Sequence, residues 1–289
     1  MSKNILITGT GGYVGSHLAN SLEKSGNKVS RLSVRNSLWE NQSFTDYDVI
    51  IHTAALVHNN DPSAQLEDYF RINMHLPNKL ANKAKKDGVN QFIFMSTMAV
   101  FGEDGVIGKN IEITDPMKIK PITDYGKSKA KAEEKLLNIS SSSFKVVIIR
   151  PPMIYGEDSP GNFTKLKKVA KLLPIIPNIH NYRSALYIKH LEQYVNEIIT
   201  HKKAGIYHPK DEFEFNTTNV IKEIRKNENK STILLPVPKT IYPLLNKVKF
   251  ITKLYGNLVY GKDLYLSEEK ININQQEFEN IIKDIMNKD

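Results

Sequence analysis

Apolar residues in the first two-thirds of the chain fall into short β-branched runs, separated by longer stretches where they recur at helical spacing. NILIT (4–8), KVSRLS (28–33), DVIIH (48–52), QFIFMS (91–96) and KVVIIR (145–150) read as strands. Strands alternating with amphipathic segments predict an α/β fold, a doubly wound parallel sheet with helices on both faces. One helix is expected from about Pro62 to Lys86, stopped at Gly88. After Arg150 the rhythm loosens into the Pro/Gly-rich RPPMIYGEDSPGN, and the basic TKLKKVAKLL then opens a smaller region. SALYI (184–188) and AGIYH (204–208) return to the strand pattern. Residues 1–158 with 184–210 are therefore expected to build the sheet domain, and 159–183 with 211–289 a smaller lobe. Phe278, Ile281, Ile282 and Ile285 have the spacing of a packing helix. The basic, apolar stretch at 239–261 is expected to pack on the smaller lobe, with a partner contact or a membrane surface as alternatives.

Composition narrows the chemistry. With 289 residues, 40% hydrophobic and 25% charged, the chain has material for a sizeable core and no sign of disorder. The lack of cysteine excludes disulfides, thiolate metal sites and cysteine nucleophiles, and no metal is expected. No signal-like segment precedes NILIT and no apolar run approaches the ~20 residues of a membrane span, so a cytoplasmic protein is expected. The net charge of +9 is spread along the chain. It implies a solvated surface or attraction for an anionic substrate, and gives no support to nucleic-acid binding.

Two motifs carry chemistry. Gly9, Gly12 and Gly15 follow the first strand at G-x-x-G-x-x-G spacing and open a helix. A tight turn, a bare backbone and a helix N-terminus together suit a dinucleotide pyrophosphate. Ser33 and Arg35 stand at the end of the second strand, where an acid would hold ribose hydroxyls; a guanidinium there favours NADP(H) over NAD(H). The second motif is PITDYGKSKAKAE, in which Tyr125 and Lys129 share one helix face. That spacing fits a core aromatic beside a solvated lysine, and equally a proton donor tuned by an ammonium.

HTAA (52–55), STMAVFG (96–102) and YGKSK (125–129) follow the glycine turn in order. From residue 3 to about 210 the set resembles the extended short-chain dehydrogenase/reductases of nucleotide sugars. WENQSFTDYDVIIHTAALVHNN, VVIIRPPMIYG, PGNF and LPIIPNIHNYRSALYIKHL further resemble capsular-polysaccharide enzymes that reduce UDP-4-keto-6-deoxy-N-acetylhexosamines. The resemblance implies a Rossmann-type sheet with a smaller C-terminal substrate-binding lobe, and a homodimer. It implies Thr97, Tyr125 and Lys129 as the catalytic set, Thr97 bonding the sugar C4 oxygen and Tyr125 donating a proton to it. Around the cofactor it places Gly9, Gly12, Tyr13, Val14 and Gly15, then Ser33 and Arg35, Ala54 and Ala55, Pro152 and Met153, with Tyr125 and Lys129. Toward the UDP-sugar it places Thr97, Met98, Asn162, Arg183 and His58; helix capping competes for Asn162, and a loop position without a role for His58. Asn73, Tyr155 and Gly156 are expected to be structural.

The implied activity is NADPH-dependent reduction at C4, giving UDP-N-acetylfucosamine or its C4 epimer for surface polysaccharide. A UDP-hexose 4-epimerase with tightly bound NAD is the alternative, and a non-catalytic nucleotide sensor or scaffold the remote one. An ordinary tyrosine titrates near ~10. An ammonium about 5 Å away at an effective dielectric of about 20 favours phenolate by roughly 3 kcal/mol, about two pKa units. Lys129 is therefore expected to acidify Tyr125. The segment between Arg35 and Asp46 lacks the acid that often contacts adenine, and Phe101 ends the Ser/Thr block.

Overall fold

Alternation along each strand divides the interior into two cores. In the computed structural model, which describes residues 2–57, 63–265 and 268–287, strand β1 (Asn4–Thr8) sends Ile5 and Ile7 to one face of the sheet and Leu6 to the other. The next sheet strands, β2 (Lys28–Leu32), β3 (Val49–His52) and β4 (Gln91–Met95), follow the sequence reading closely. In β3, Val49 and Ile51 join Ile5 while Ile50 joins Leu6; in β4, Ile93 and Phe94 divide likewise. A short pair strand β5 (Glu112–Ile113) intervenes before β6 (Lys145–Ile149), where Val147 and Val146 again part company. Each fully buried Leu, Ile or Phe contributes roughly 1.5–3 kcal/mol, so the pattern fixes which face each helix covers.

Helices α1 (Tyr13–Lys24), α2 (Leu66–Phe70), α3 (Leu76–Lys86) and α4 (Asp124–Asn138) connect these strands. Leu18, Ala19 and Leu22 of α1 cover the first core; Leu80 and Ala84 of α3, with Ala132 and Leu136 of α4, cover the second. The single helix expected to end at Lys86 is interrupted by a wide turn over Arg71–His75, closed by a bond from the Leu76 amide to the Arg71 carbonyl. Pro77 has no N–H for the Asn73 carbonyl, and an i to i+5 turn absorbs that loss.

Beyond β6 come β7 (Met153–Tyr155), α5 (Asn162–Leu172), β8 (Ile175–Asn178), β9 (Ala185–Tyr187), α6 (Ile188–Thr200) and β10 (Gly205–Tyr207). The order of the main sheet is β10-β6-β4-β3-β1-β2, with every pairing parallel. β10 thus returns to the sheet beside β6, while β7 and β9 form a separate pair. Chain order reverses between β1 and β3, so a crevice opens at their carboxyl ends, the place where such sheets bind ligands.

The remaining elements are α7 (Thr217–Asn227), β11 (Ile233–Pro236), α8 (Tyr242–Leu245), α9 (Lys249–Tyr255), β12 (Val259–Tyr260) and α10 (Phe278–Met286). β11 pairs with β8, and Tyr255 of α9 packs with Ile107 and Ile179, so the basic 239–261 stretch is part of the smaller lobe. β5 pairs with β12 although it lies inside the first 158 residues; the 105–113 segment sits with the smaller lobe, across the boundary expected from sequence. Ile281, Ile282 and Ile285 of α10 are buried in the first core.

Candidate active site

The glycine turn is built by close approach. Gly9 has φ +80°, and a Cβ on it would lie 2.4 Å from the Ala54 nitrogen. A Cβ on Gly15 would meet the Gly9 carbonyl oxygen at 2.6 Å, so the turn, the start of α1 and the residues following β3 leave no room for side chains. α1 starts at Tyr13 with Gly12 as N-cap, no side-chain cap and no acid in its first turn. Its free amides and dipole therefore face the crevice with no carboxylate in the helix's own first turn, and nothing stands within 4 Å of the Gly11 Cβ position. These residues fit a dinucleotide pyrophosphate.

The other residues expected around the dinucleotide divide by burial. Ala54 and Ala55 are half-buried after β3, Pro152 is buried and Met153 lies in β7. Ser33 and Arg35 are exposed just past β2, and Arg35 makes no hydrogen bond or ion pair among the described residues. Val14 packs on the first core. Tyr13 turns its phenol toward Gly156, whose Cβ position is 2.6 Å from the Tyr13 oxygen, and burial raises its pKa.

Thr97 and Tyr125 come together at the end of β4. The Ser96 amide donates to the Ile149 carbonyl at 2.7 Å and the Met98 amide to the Pro151 carbonyl at 2.9 Å, tying this segment to β6 and its exit. Thr97 caps the following turn, accepting from the Ala99 amide at 3.2 Å. Tyr125 stands in the first turn of α4, whose N-cap Thr123 accepts from the Gly126 amide. The Thr97 hydroxyl stands near enough to the Tyr125 phenol to favour its ionised form.

Acidification of Tyr125 by Lys129 is not what the structure shows. Burial pushes the phenol up to about 12, and the Thr97 hydroxyl only partly opposes it. Lys129 Nζ donates to the Met95 carbonyl at 2.7 Å and stands 4.3 Å from the Phe94 ring centre. Being 1% exposed, it is itself pushed down to about 7 by burial, opposed by the nearby Glu133 carboxylate. Desolvation wins over the pairwise attraction that spacing alone suggested.

Several residues around this set were not singled out from sequence. Glu133, one turn past Lys129, accepts from Ser96 and pairs with Arg150 Nη2 at 2.7 Å. Its position four after Lys129 was the available signal. His52 lies under the crevice, its Nδ1 2.7 Å from the Thr8 hydroxyl and its ring stacked on Phe94; burial, then the Lys129 charge, lowers its pKa to about 3. Asn73, by contrast, was expected from sequence to be structural: it accepts from the Leu56 amide at 2.8 Å and donates to the Leu56 carbonyl and the Ser128 hydroxyl, tying the exit of β3 to α4.

On the substrate side, Asn162 and Arg183 line one cleft with Met153, Phe163, Phe215 and Lys253. Asn162 is the first residue of α5, and Gly161, not Asn162, is its N-cap. Arg183 Nη1 donates to the Gly256 carbonyl at 2.6 Å, whereas its Nε is buried without a partner among the described residues. Burial lowers the guanidinium to about 10. Met98 packs beside Val100 and Phe101, and His58 lies outside the described residues. A cavity of about 440 Å³ lined by His208, Asp211, Tyr265 and Glu268 is separate from the catalytic set. Among the described residues no group of His, Asp and Glu is arranged to hold a metal.

Comparison with known proteins agrees with this fold. The chain is 31% identical over 287 residues to a UDP-glucose 4-epimerase of Vibrio cholerae, covering 89% of this chain and 87% of the relative. It is 26% identical to the N-acetyl-alpha-D-glucosaminyl-diphospho-ditrans,octacis-undecaprenol 4-epimerase of Escherichia coli O157:H7, covering 84% and 77%. In fold it is similar to the UDP-glucuronic acid 4-epimerase of Bacillus cereus, solved with NAD, with a TM-score of 0.73, 18% identity and 99% of each chain covered. The family model described as the NAD dependent epimerase/dehydratase family matches residues 5–195. The chain belongs to the NAD dependent epimerase/dehydratase family of enzymes.

Proposed function

We propose that this enzyme exchanges hydride and proton at C4 of a UDP-sugar, and that it works as a UDP-hexose 4-epimerase. The observation that carries this reading is the near full-length similarity to the Vibrio cholerae UDP-glucose 4-epimerase. It displaces the reductase that the sequence reading placed first.

The residues divide the work. Gly9, Gly12 and Gly15 with the α1 amides would hold the pyrophosphate of the nicotinamide dinucleotide, and Lys129 its nicotinamide ribose. When bound, that dinucleotide accepts and returns the hydride. Thr97 would orient the C4 oxygen while Tyr125, in its deprotonated form, would take the C4 hydroxyl proton as hydride leaves and return it as hydride comes back, a general acid–base role. The Met95 carbonyl and the Phe94 ring face hold Lys129 in place. Arg183, whose buried Nε has no partner among the described residues, lines the cleft that would take the diphosphate, a group common to the substrates named for the Vibrio cholerae and Escherichia coli relatives.

NADPH-dependent 4-keto reduction is the second reading, favoured by two observations. Arg35 is exposed and uncommitted at the end of β2, where it suits a 2′-phosphate. Tyr125, held protonated at neutral pH, starts in the form that donates. The homodimer and the role in surface polysaccharide belong with this reading.

The test is to incubate the purified protein with UDP-N-acetylglucosamine or UDP-glucose without added nicotinamide, and to follow C4 configuration by NMR. Interconversion, with NAD released on denaturation, is expected. Turnover only of a 4-keto-6-deoxy sugar, and only with added NADPH, overturns the epimerase in favour of the reductase.

A further inference from the structure

The smaller lobe carries an apolar surface that its own core does not use. Ten of the fifteen exposed large apolar side chains among the described residues lie in 172–182 and 233–250. Parallel pairing sets Ile175 beside Ile233 on the outer face of the β8–β11 ribbon, while Ile176 and Leu234 turn to the first core. Leu172 is 77% exposed at the end of α5, directly before β8. After β11, Ile241, Leu244 and Val248 form a stripe of exposed apolar side chains along the 241–248 segment, Leu244 in α8 and Val248 in the turn before α9. Tyr242, Leu245 and Ile251 point inward onto Ile107, Ile179 and Tyr255, so the outward stripe is additional to the packing.

Charge identifies what covers it. Residues 159–191 and 229–262 hold twelve of the 40 Lys and Arg residues and none of the 31 Asp and Glu, so the rest of the chain carries 28 cations against 31 carboxylates. The whole positive excess is accounted for by these two stretches. Lys239, Lys247 and Lys249 are exposed beside the stripe and make no ion pair among the described residues. A second copy meeting the same face would set cations against cations. Protein interfaces favour aromatic residues and Arg and are depleted in Lys, whereas this face is aliphatic and Lys-rich, the composition of segments that lie in a lipid interface.

We propose that this face, formed by the end of α5, the β8–β11 ribbon and residues 239–250, docks on an anionic lipid bilayer. α5 and α9 also line the cleft of Asn162, Arg183 and Lys253, so docking sets the substrate cleft beside the membrane. The inference stands apart from the C4 chemistry, since neither Leu244 nor Val248 touches the cleft or the catalytic set.

The test is co-sedimentation of the full chain with vesicles of phosphatidylglycerol and phosphatidylcholine, against phosphatidylcholine alone. Binding to the anionic vesicles only, weakened by salt, is expected. Leu244→Glu/Val248→Glu, and separately Lys239→Gln/Lys247→Gln/Lys249→Gln, should each lower the bound fraction about ten-fold or more while turnover of a soluble UDP-sugar is unchanged. No binding to anionic vesicles at low salt, or binding untouched by both variants, overturns the proposal. A dimer that Leu244→Glu/Val248→Glu converts to monomer also overturns it, making the face a self-interface. So does retention by an acidic polypeptide without binding to vesicles.

Discussion

Glu133 and Arg150 neutralise each other inside the protein, one helical turn behind Lys129: Nη2 lies 2.7 Å from Oε2, and the two side chains are 2% and 1% exposed. Each is otherwise satisfied, Glu133 by Ser96 and Arg150 by the Pro116 carbonyl. Removing one partner strands a charge in low dielectric. Arg150→Met should therefore destabilise the protein by about 3–5 kcal/mol, and adding Glu133→Gln should recover most of that. Urea unfolding of the three proteins checks it; a double variant no more stable than Arg150→Met denies the coupling.

Lys129 gives stability a pH dependence of known sign. The unfolded chain keeps this proton to about 10.5, whereas the folded state releases it near 7, so the unfolded state binds more protons between those values. Stability should rise from about pH 7 toward 10. Tyr125 acts oppositely above pH 10, because its folded pKa of about 12 exceeds the ordinary value of 10. His52, lowered to about 3, acts only below pH 6.5. Unfolding free energies between pH 7.5 and 9.5 should climb in the parent and climb less in Lys129→Met; parallel slopes would place the titration elsewhere.

What sequence revealed and what it hid separate along physical lines. Ile5, Leu6 and Ile7 alternate within one strand, and Tyr125 and Lys129 share a face at fixed spacing; both are local facts, legible from neighbours in the chain. The wide turn at Asn73 depends on Pro77 together with bonds to Leu56 and Ser128, the latter 55 residues away. The β5–β12 pairing joins Ile113 to Tyr260, beyond any local pattern. The acidity of Tyr125 was misjudged because charge spacing is written in the sequence and burial is not.

Tyr125 and Lys129 should fail differently. Tyr125→Phe keeps the ring and removes the proton, so turnover should fall by roughly 10²–10⁴ with dinucleotide affinity nearly intact. Lys129→Met removes the group assigned to the nicotinamide ribose, so calorimetric titration with dinucleotide should show weakened binding as well as lost turnover. Equal loss of binding in both variants would show that Tyr125 serves structure rather than proton transfer.

The glycine turn contains its own control. Gly9→Ala forces a side chain into a φ +80° backbone against Ala54, costing at least the roughly 1–2 kcal/mol of a left-handed L-residue and displacing the pyrophosphate seat. Gly11→Ala meets nothing within 4 Å. Dinucleotide affinity should collapse in the first and persist in the second, with thermal melting recorded for both. Comparable loss at Gly11 would move the seat away from the Gly9–Ala54 contact.

The proposed adenosine half of the site turns on Arg35, and with it the balance between the two proposed reactions. It follows β2, the edge strand beside β1, and no carboxylate occurs from Lys28 until Glu40. A free guanidinium there attracts a 2′-phosphate, and a carboxylate would repel it while accepting bonds from the ribose hydroxyls. Arg35→Asp should therefore shift the ratio of NADP to NAD affinity toward NAD by about ten-fold or more, as charge-assisted phosphate bonds of about 1.5–3 kcal/mol are lost. Calorimetric titration of parent and variant with both dinucleotides measures it. A parent that already binds NAD more tightly, with Arg35→Asp unchanged, would leave Arg35 as surface charge and remove the main support for the reductase reading.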